Sequence, residues 1–248
     1  MAETLGRTVV VVPTYNEREN LPVLVEQIMN LVRAGALTDV HIIVVDDNSP
    51  DGTGDAAEKL ASEFPGVVGV LHRADKNGLG RAYVAGMTRA LDEGAQVVVQ
   101  MDADLSHPAS VLPIMLDTLR SAPADVVLGS RYVPGGSTAS AWPWHRKALS
   151  AWANFYVNAI LRLHVRDATA GFKAWRASAL RTIDLGSVSS DGYSFQVELL
   201  HRAVQHGLTV REVPIRFEER VAGASKMSLR VQLESAAMPW KLRFGRRP

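Results

Sequence analysis

Short apolar runs alternate with longer stretches in which apolar positions recur every three or four residues through the first half of the chain. The runs cover residues 8–12, 40–45, 67–72, 96–101 and 125–129 and are rich in Val, Ile and Leu. They show little apolar–polar alternation, which is the pattern of strands covered on both faces. The stretches between them, about residues 18–34, 51–64, 80–93 and 108–121, have the spacing of amphipathic helices. In the third, Ala82, Ala85, Gly86 and Leu91 are expected to face inward and Arg81 and Arg89 outward. Strand and helix in repetition predict an α/β fold with a parallel, doubly wound sheet. In such sheets ligands bind beyond the carboxyl ends of the strands.

The second half is less regular. Residues 132–144 read as a loop, with Pro134, Gly135, Gly136 and Pro143. A helix is predicted over about 146–163, and another over about 194–206 with Gly207 as its C-terminal cap. A strand is expected over 209–217, then a charged, mobile loop over 218–228 carrying Gly223. The helix from residue 146 carries Leu149, Trp152, Ala153, Tyr156, Ile160 and Leu163, with Phe155 nearby. That face reads first as a core face, with a membrane-interface face as the alternative. With no repeat, low-complexity tract or linker, residues 1–228 read as a single domain, and 229–248 as a C-terminal helix and basic tail.

A chain of 248 residues, 47% hydrophobic and 21% charged, can bury a large core. Its formal net charge of +1 argues against general nucleic-acid binding. The absence of cysteine removes disulfides and thiolate metal sites. Residues 1–8 are polar and the apolar run behind them is too short for a signal peptide. The longest apolar stretch, 148–163, is interrupted by Asn154, Asn158 and Arg162, so no bilayer-spanning segment is expected. The tail around Trp240, Lys241, Arg243 and Phe244 mixes aromatic and basic residues, as a segment resting on anionic headgroups would.

The strand ends are loaded with polar groups. The first runs into Pro13-Thr14-Tyr15-Asn16-Glu17 and the second into Asp46-Asp47-Asn48-Ser49. The fourth ends on Asp102-Ala103-Asp104 and the fifth on Gly129-Ser130-Arg131. Asp102 and Asp104 point to the same side of an extended chain, where they repel unless a cation lies between them. One account is helix capping, with Ser106 as the cap and Pro108 in the first turn. It explains Ser106 and leaves the aspartates unexplained. The other is a Mg²⁺ or Mn²⁺ site, since hard cations take carboxylates together with substrate phosphates. Neither a P-loop nor a dinucleotide fingerprint is present, and Gly78-Leu79-Gly80 alone is weak.

Taken together, PTYNERENL (13–21), VVDDNSPDGT (44–53), NGLGRAY (77–83), MDADLSHP (101–108) and GSRYVPGG (129–136) resemble the inverting family-2 glycosyltransferases of GT-A fold. HRKALSAWAN (145–154), DATAGFKAWR (167–176), DGYSFQVEL (191–199) and EVPIRFEERVAGASKMS (212–228) narrow the resemblance to the polyprenol-phosphate mannosyltransferases. It spans about residues 8–228 and implies a Rossmann-like, mostly parallel sheet flanked by helices. It implies a donor site for GDP-mannose built from Pro13, Tyr15, Glu17, Val45, Asp47, Asp102, Ala103 and Asp104, closed by Arg220 and Lys226. Asp102 and Asp104 would hold Mg²⁺ or Mn²⁺, with Ser106 where some relatives carry a metal-binding Gln. Arg131 and Arg146 would hold the phosphate of a polyprenyl phosphate acceptor, and Asp102, Asp104, Arg131 and Arg220 would carry the chemistry.

The implied setting is peripheral, at the cytoplasmic face of a membrane, reached directly or through an anchoring partner protein or domain. The alternatives are UDP-glucose as donor, a hydroxyl acceptor served by Glu198 as base, and a nucleotide-binding module without catalysis.

Overall fold

The computed structural model describes residues 5–188, 190, 192–218 and 229–244. The five apolar runs form β1 (Thr8–Thr14), β2 (Val40–Asp46), β3 (Val68–His72), β4 (Val97–Gln100) and β5 (Val126–Ser130). Between them lie α1 (Asn20–Arg33), α2 (Thr53–Glu63), α3 (Leu79–Asp92) and α4 (Leu112–Ser121). The chain continues through α5 (Trp144–Leu161), β6 (Lys173–Arg176), α6 (Ala177–Thr182), α7 (Gly192–Gln205), β7 (Val210–Pro214) and α8 (Leu229–Phe244). The seven-stranded sheet has the order β3-β2-β1-β4-β6-β5-β7. Every pairing is parallel except those of β6, which runs antiparallel between β4 and β5.

The apolar runs work as strands because both of their faces are covered. Val10 and Val12 of β1 pack with Leu21, Leu24 and Ile28 of α1 on one side of the sheet. Val9 and Val11 pack with Tyr83 and Met87 of α3 and Phe195 of α7 on the other. Each fully buried valine contributes about 1.5–3 kcal/mol, so the centre of the sheet is the best anchored part of the molecule. Helix α3 lies directly on the strands at Gly86, where a Cβ would fall 2.4 Å from Val11 Cγ1 and 2.7 Å from Val45 Cγ2. At Gly207 (φ +71°) the predicted cap of α7 is present: the Gly207 amide donates to Val204 O (3.1 Å) and that of Leu208 to Ala203 O (3.0 Å).

Strand β6 and helix α6 were not foreseen. The strand has four residues, and charged Lys173 and Arg176 at its ends hide its strand character. The predicted helix from Pro108 begins instead as a 3-10 turn, Ala109–Val111, before α4. Ser106 does not cap it, since no side chain hydrogen-bonds at that helix start. The predicted strand over 209–217 is shorter, at Val210–Pro214.

The apolar face of α5 divides. Val157, Ile160 and Leu161 are buried, while Leu149, Trp152 and Phe155 are exposed, which corrects the expected core face over its first half. Helix α8 lies beside α5: Tyr156 Oη donates to Ala236 O (2.8 Å), Trp240 Nε1 to Tyr156 Oη (2.8 Å) and Arg243 Nη1 to Ile160 O (2.7 Å). Among the described residues, no helix is long and apolar enough to cross a membrane.

Candidate active site

The carboxyl ends of β1 and β2 are held in register, with Pro13 beside Val45 and Thr14 beside Asp46. Buried Asp46 organises the turn after β2, accepting from Thr14 Oγ1 (3.1 Å), Ser49 Oγ (2.6 Å) and the Ser49 amide (3.2 Å). The Glu17 carboxylate accepts from Asn20 Nδ2 (2.8 Å), and its amide donates to Thr53 Oγ1 (2.9 Å). Asp47 is paired with Arg73 Nη1 at 2.6 Å. Burial pushes its carboxyl above the usual range despite that pairing. The Lys76 ammonium sits 3.5 Å from the centre of the Tyr15 ring. Tyr15, Glu17 and Asp47 therefore share one strand edge with two cations. Pro13 is buried, and Val45 turns its side chain into the core under Gly86. Of Val45, only the main chain remains to meet a ligand.

At the end of β4 hydrogen bonds from Tyr83 and Ser106 fix the geometry of the carboxylate pair. Asp102 Oδ1 accepts from Tyr83 Oη at 2.6 Å. Burial first, and the charge of Asp102 second, push the Tyr83 phenol well above its ordinary pKa, so it stays a donor. The Asp102 amide donates to His107 Nδ1 at 3.1 Å, which requires that nitrogen to be unprotonated. Burial lowers the His107 pKa in the same sense. Asp104 Oδ1 accepts from both the amide (3.1 Å) and the hydroxyl (2.6 Å) of Ser106. The turn that allows this puts Leu105 at φ +64°, a left-handed conformation unusual for leucine. Gly171 faces Asp102 and the His107 ring: a Cβ there would lie 3.5 Å from Asp102 Oδ2 and 3.2 Å from His107 Cε1. The two carboxylates form an oxygen donor set suited to a hard divalent cation. Among the described residues no group of three His, Asp or Glu gathers, so remaining ligands would come from substrate and water.

Arg131, at the end of β5, is buried in a two-pronged pair with Asp167. Nε donates to Oδ2 (2.8 Å) and Nη2 to Oδ1 (2.7 Å), while Nη2 also reaches Thr169 Oγ1 (2.7 Å). Burial pushes the Asp167 carboxyl up, but the Arg131 hydrogen bonds and charge outweigh it and hold the carboxyl below the usual range. Asp167 is itself fixed, since its amide and that of Arg166 donate to Glu212 (2.9 and 2.8 Å). Asn154 binds the Ala168 amide and the Arg166 carbonyl from α5. The guanidinium plane is thus set by residues from three further chain segments. Behind both clusters lies Lys173, fully buried on β6, donating to Gln196 Oε1 (2.5 Å) and to the Ala170 carbonyl. Burial lowers its pKa to about 7.

An aromatic group links the strand ends. His107 stacks on Phe172 at 5.1 Å and meets the edge of Phe217 at 6.1 Å. Phe217 also contacts Trp142 at 5.6 Å and lies 5.5 Å from the Arg131 guanidinium carbon. Arg146, exposed in the first turn of α5, lays its guanidinium 4.1 Å over the Trp142 ring. Trp142 is 7% exposed, and its indole N–H has no hydrogen-bond partner. A buried unpaired donor costs on the order of 1–3 kcal/mol. Glu198 is buried and committed to Arg202 (2.6 Å) and to the Ser190 amide (3.0 Å). Arg220 and Lys226 lie outside the described residues.

Sequence reasoning overlooked Asp167, Lys173, Tyr83, His107 and Trp142 as parts of the site. Asp167 and Lys173 stand in the DATAGFKAWR segment, whose charged residues in an apolar setting were the one available signal.

Residues 9–184 match the family model described as glycosyl transferase family 2. The chain is 50% identical over 222 residues to the polyprenol monophosphomannose synthase of Mycolicibacterium smegmatis, covering 90% of this chain and 81% of that protein. It is 46% identical to the undecaprenyl-phosphate mannosyltransferase of Micrococcus luteus, covering 90% of this chain and 88% of that one. Among solved structures, the glucosyl-3-phosphoglycerate synthase of Mycobacterium tuberculosis in complex with Mn²⁺, UDP and glucosyl-3-phosphoglycerate superposes with a TM-score of 0.66 at 18% identity. That match covers 96% of this chain and 77% of the other, and it shows the shared fold.

Proposed function

The chain belongs to glycosyl transferase family 2, and on that premise we propose that it transfers mannose from GDP-mannose to a polyprenyl phosphate, giving polyprenyl phosphomannose and GDP. The observation that carries the proposal is the placing, on the same edge of the sheet with only β6 between their strands, of the Asp102–Asp104 pair at the end of β4 and a buried, rigidly held Arg131 at the end of β5. Two anionic substrates must approach one carbon, so a carboxylate pair for a metal on the donor side and a cation on the acceptor side are both needed. The names of the relatives support the lipid phosphate and the mannosyl group.

Tyr15, Glu17 and Asp47 border the nucleoside end of the donor, with Pro13 and the Val45 main chain as its floor. Asp102 and Asp104, with Ser106 steadying Asp104, would hold Mg²⁺ or Mn²⁺, and Ala103 lies between them. A divalent ion there supplies neutralisation of charge on the departing diphosphate. Arg131 and Arg146 bind the acceptor phosphate, the first through a guanidinium whose orientation Asp167 fixes. Arg220 and Lys226 are assigned to the donor diphosphate. An acceptor phosphate oxygen forms the new bond to the anomeric carbon as the bond to GDP breaks and its electron pair leaves with the β-phosphate. One displacement inverts the configuration from α to β. A phosphate is ionised at neutral pH, so no enzyme base is required, and Glu198 is already paired with Arg202. Positioning and charge neutralisation supply most of the rate.

The lipid tail requires a membrane surface. Trp144 (80% exposed), Leu149, Trp152 and Phe155 (71%) on α5, with Trp240 and Phe244 on α8, present aromatic surface beside Lys241 and Arg243. That combination suits a peripheral position on anionic lipid. Incubation of the purified protein with labelled GDP-mannose, a short polyprenyl phosphate and Mg²⁺ tests the proposal. Label should enter the organic phase from GDP-mannose, and EDTA should stop it. Label from UDP-glucose alone would reassign the donor, and no label from either, with membranes added, would overturn the proposal.

A further inference from the structure

Helix α5 begins against its own electrostatics. The amino-terminal end of a helix carries partial positive charge and favours anions. Here the first turn holds Arg146 and Lys147 and no acidic residue. Immediately before it stands Trp142, more than nine-tenths buried, with an indole N–H that nothing accepts. The Arg146 guanidinium covers the face of that indole at 4.1 Å. The ring on its other contact, Phe217, has the Arg131 guanidinium carbon 5.5 Å from its centre. Two cations thus flank one aromatic pair, and the indole of that pair, two residues before α5, carries an unspent N–H donor. Core packing alone would be served as well by phenylalanine at position 142, without the unpaired donor.

We propose that Trp142 is a binding residue for the acceptor: its indole N–H donates to a phosphate oxygen at the amino-terminal end of α5, beside Arg146. This rests on the acceptor being a lipid phosphate. The ligand class follows from the donors, since guanidinium groups, a helix amino terminus and an indole N–H all serve an oxyanion and none accepts a proton. The indole would discriminate for the anion's oxygens, while the two arginines supply charge.

The test is the ¹⁵N-indole spectrum of the full chain, whose five tryptophans give five resolvable N–H groups. Trp142→Phe identifies the Trp142 signal by its loss. Farnesyl phosphate should move that signal downfield, and farnesol, which lacks the phosphate, should leave it in place. In the transfer assay Trp142→Phe should raise KM for farnesyl phosphate about tenfold or more, the expected effect of losing a hydrogen bond to a charged group. KM for GDP-mannose should stay within about twofold, and the thermal midpoint should not fall, because the substitution removes an unpaired buried donor. An unmoved Trp142 signal, an equal shift with farnesol, or an unchanged acceptor KM would overturn the proposal. Absence of transfer by the wild type would instead count against the mannosyl-transfer assignment, and the indole shift would still decide the anion site.

Discussion

Asp104 spends one carboxylate oxygen on two bonds from Ser106, so its position is fixed before any substrate arrives. Asp104→Asn keeps the shape and removes the charge. Turnover should fall by about 10²–10³-fold or more, with the circular dichroism spectrum and thermal midpoint near wild type. Near-normal turnover with metal present would remove Asp104 from the site. The Arg131–Asp167 pair sets the opposite expectation. Asp167→Ala strands a buried guanidinium and should cost about 3–5 kcal/mol in urea unfolding, lost activity following lost stability. Asp167 also makes stability depend on pH. Its folded pKa lies below its unfolded one, so its contribution is complete above the unfolded value and is lost as pH falls through the folded value. Wild type should therefore lose more stability than Asp167→Asn as pH falls below about 5, and parallel curves would contradict the pairing. The spacing of Asp102 and Asp104 was legible along the chain because both belong to one strand end. The Arg131–Asp167 pair was not, since it joins residues 36 apart through a fold that no local pattern encodes.

The parallel strands were readable at the level of elements because burial on both faces leaves an unbroken apolar run. Strand β6 escaped because it places a lysine where the sheet is fully buried, and periodicity treats lysine as surface. Lys173 is accommodated by a chain of side chains: Gln196 Oε1 accepts from both Lys173 (2.5 Å) and Gln100 Nε2 (3.2 Å), and Gln100 Oε1 accepts from Trp175 Nε1 (2.6 Å). Its folded pKa of about 7 lies below the unfolded value, so from about pH 7 to 10 the unfolded chain holds the extra proton. Wild-type stability should rise with pH across that interval relative to Lys173→Met. A constant difference would show that Lys173 keeps its charge. The contact of α3 with β1 and β2 gives a packing test. Gly86→Ala pushes a methyl against Val11 and Val45, and the overpacking cost of about 1–3 kcal/mol should exceed the roughly 1 kcal/mol gained in helix propensity. A raised thermal midpoint would mean that the helix can lift off the sheet without loss.

Considered as a whole, the molecule gathers buried charged groups, Asp46, Asp47, Asp104, Arg131 and Asp167, at the sheet's carboxyl edge and carries much of its exposed aromatic surface on α5 and α8. Hydrophobic periodicity marked the apolar face of α5 but was silent on what covers it, which is why that face was expected in the core. If it rests on lipid, Trp152→Glu with Phe155→Glu should abolish co-sedimentation with vesicles containing anionic lipid, while the fold survives because both side chains are already exposed. Unchanged sedimentation would move membrane recruitment to another surface or to a partner. On the proposed function, a lipid phosphate displaces GDP directly from mannose, in one step, between the Asp102–Asp104 pair and Arg131. The most direct measurement is the anomeric configuration of the product, read by ¹H and ³¹P NMR after incubation with GDP-α-mannose, farnesyl phosphate and Mg²⁺. Direct displacement gives farnesyl phosphomannose that is β-linked and does not form when EDTA is present. An α-linked product, or the same yield in EDTA, would contradict it.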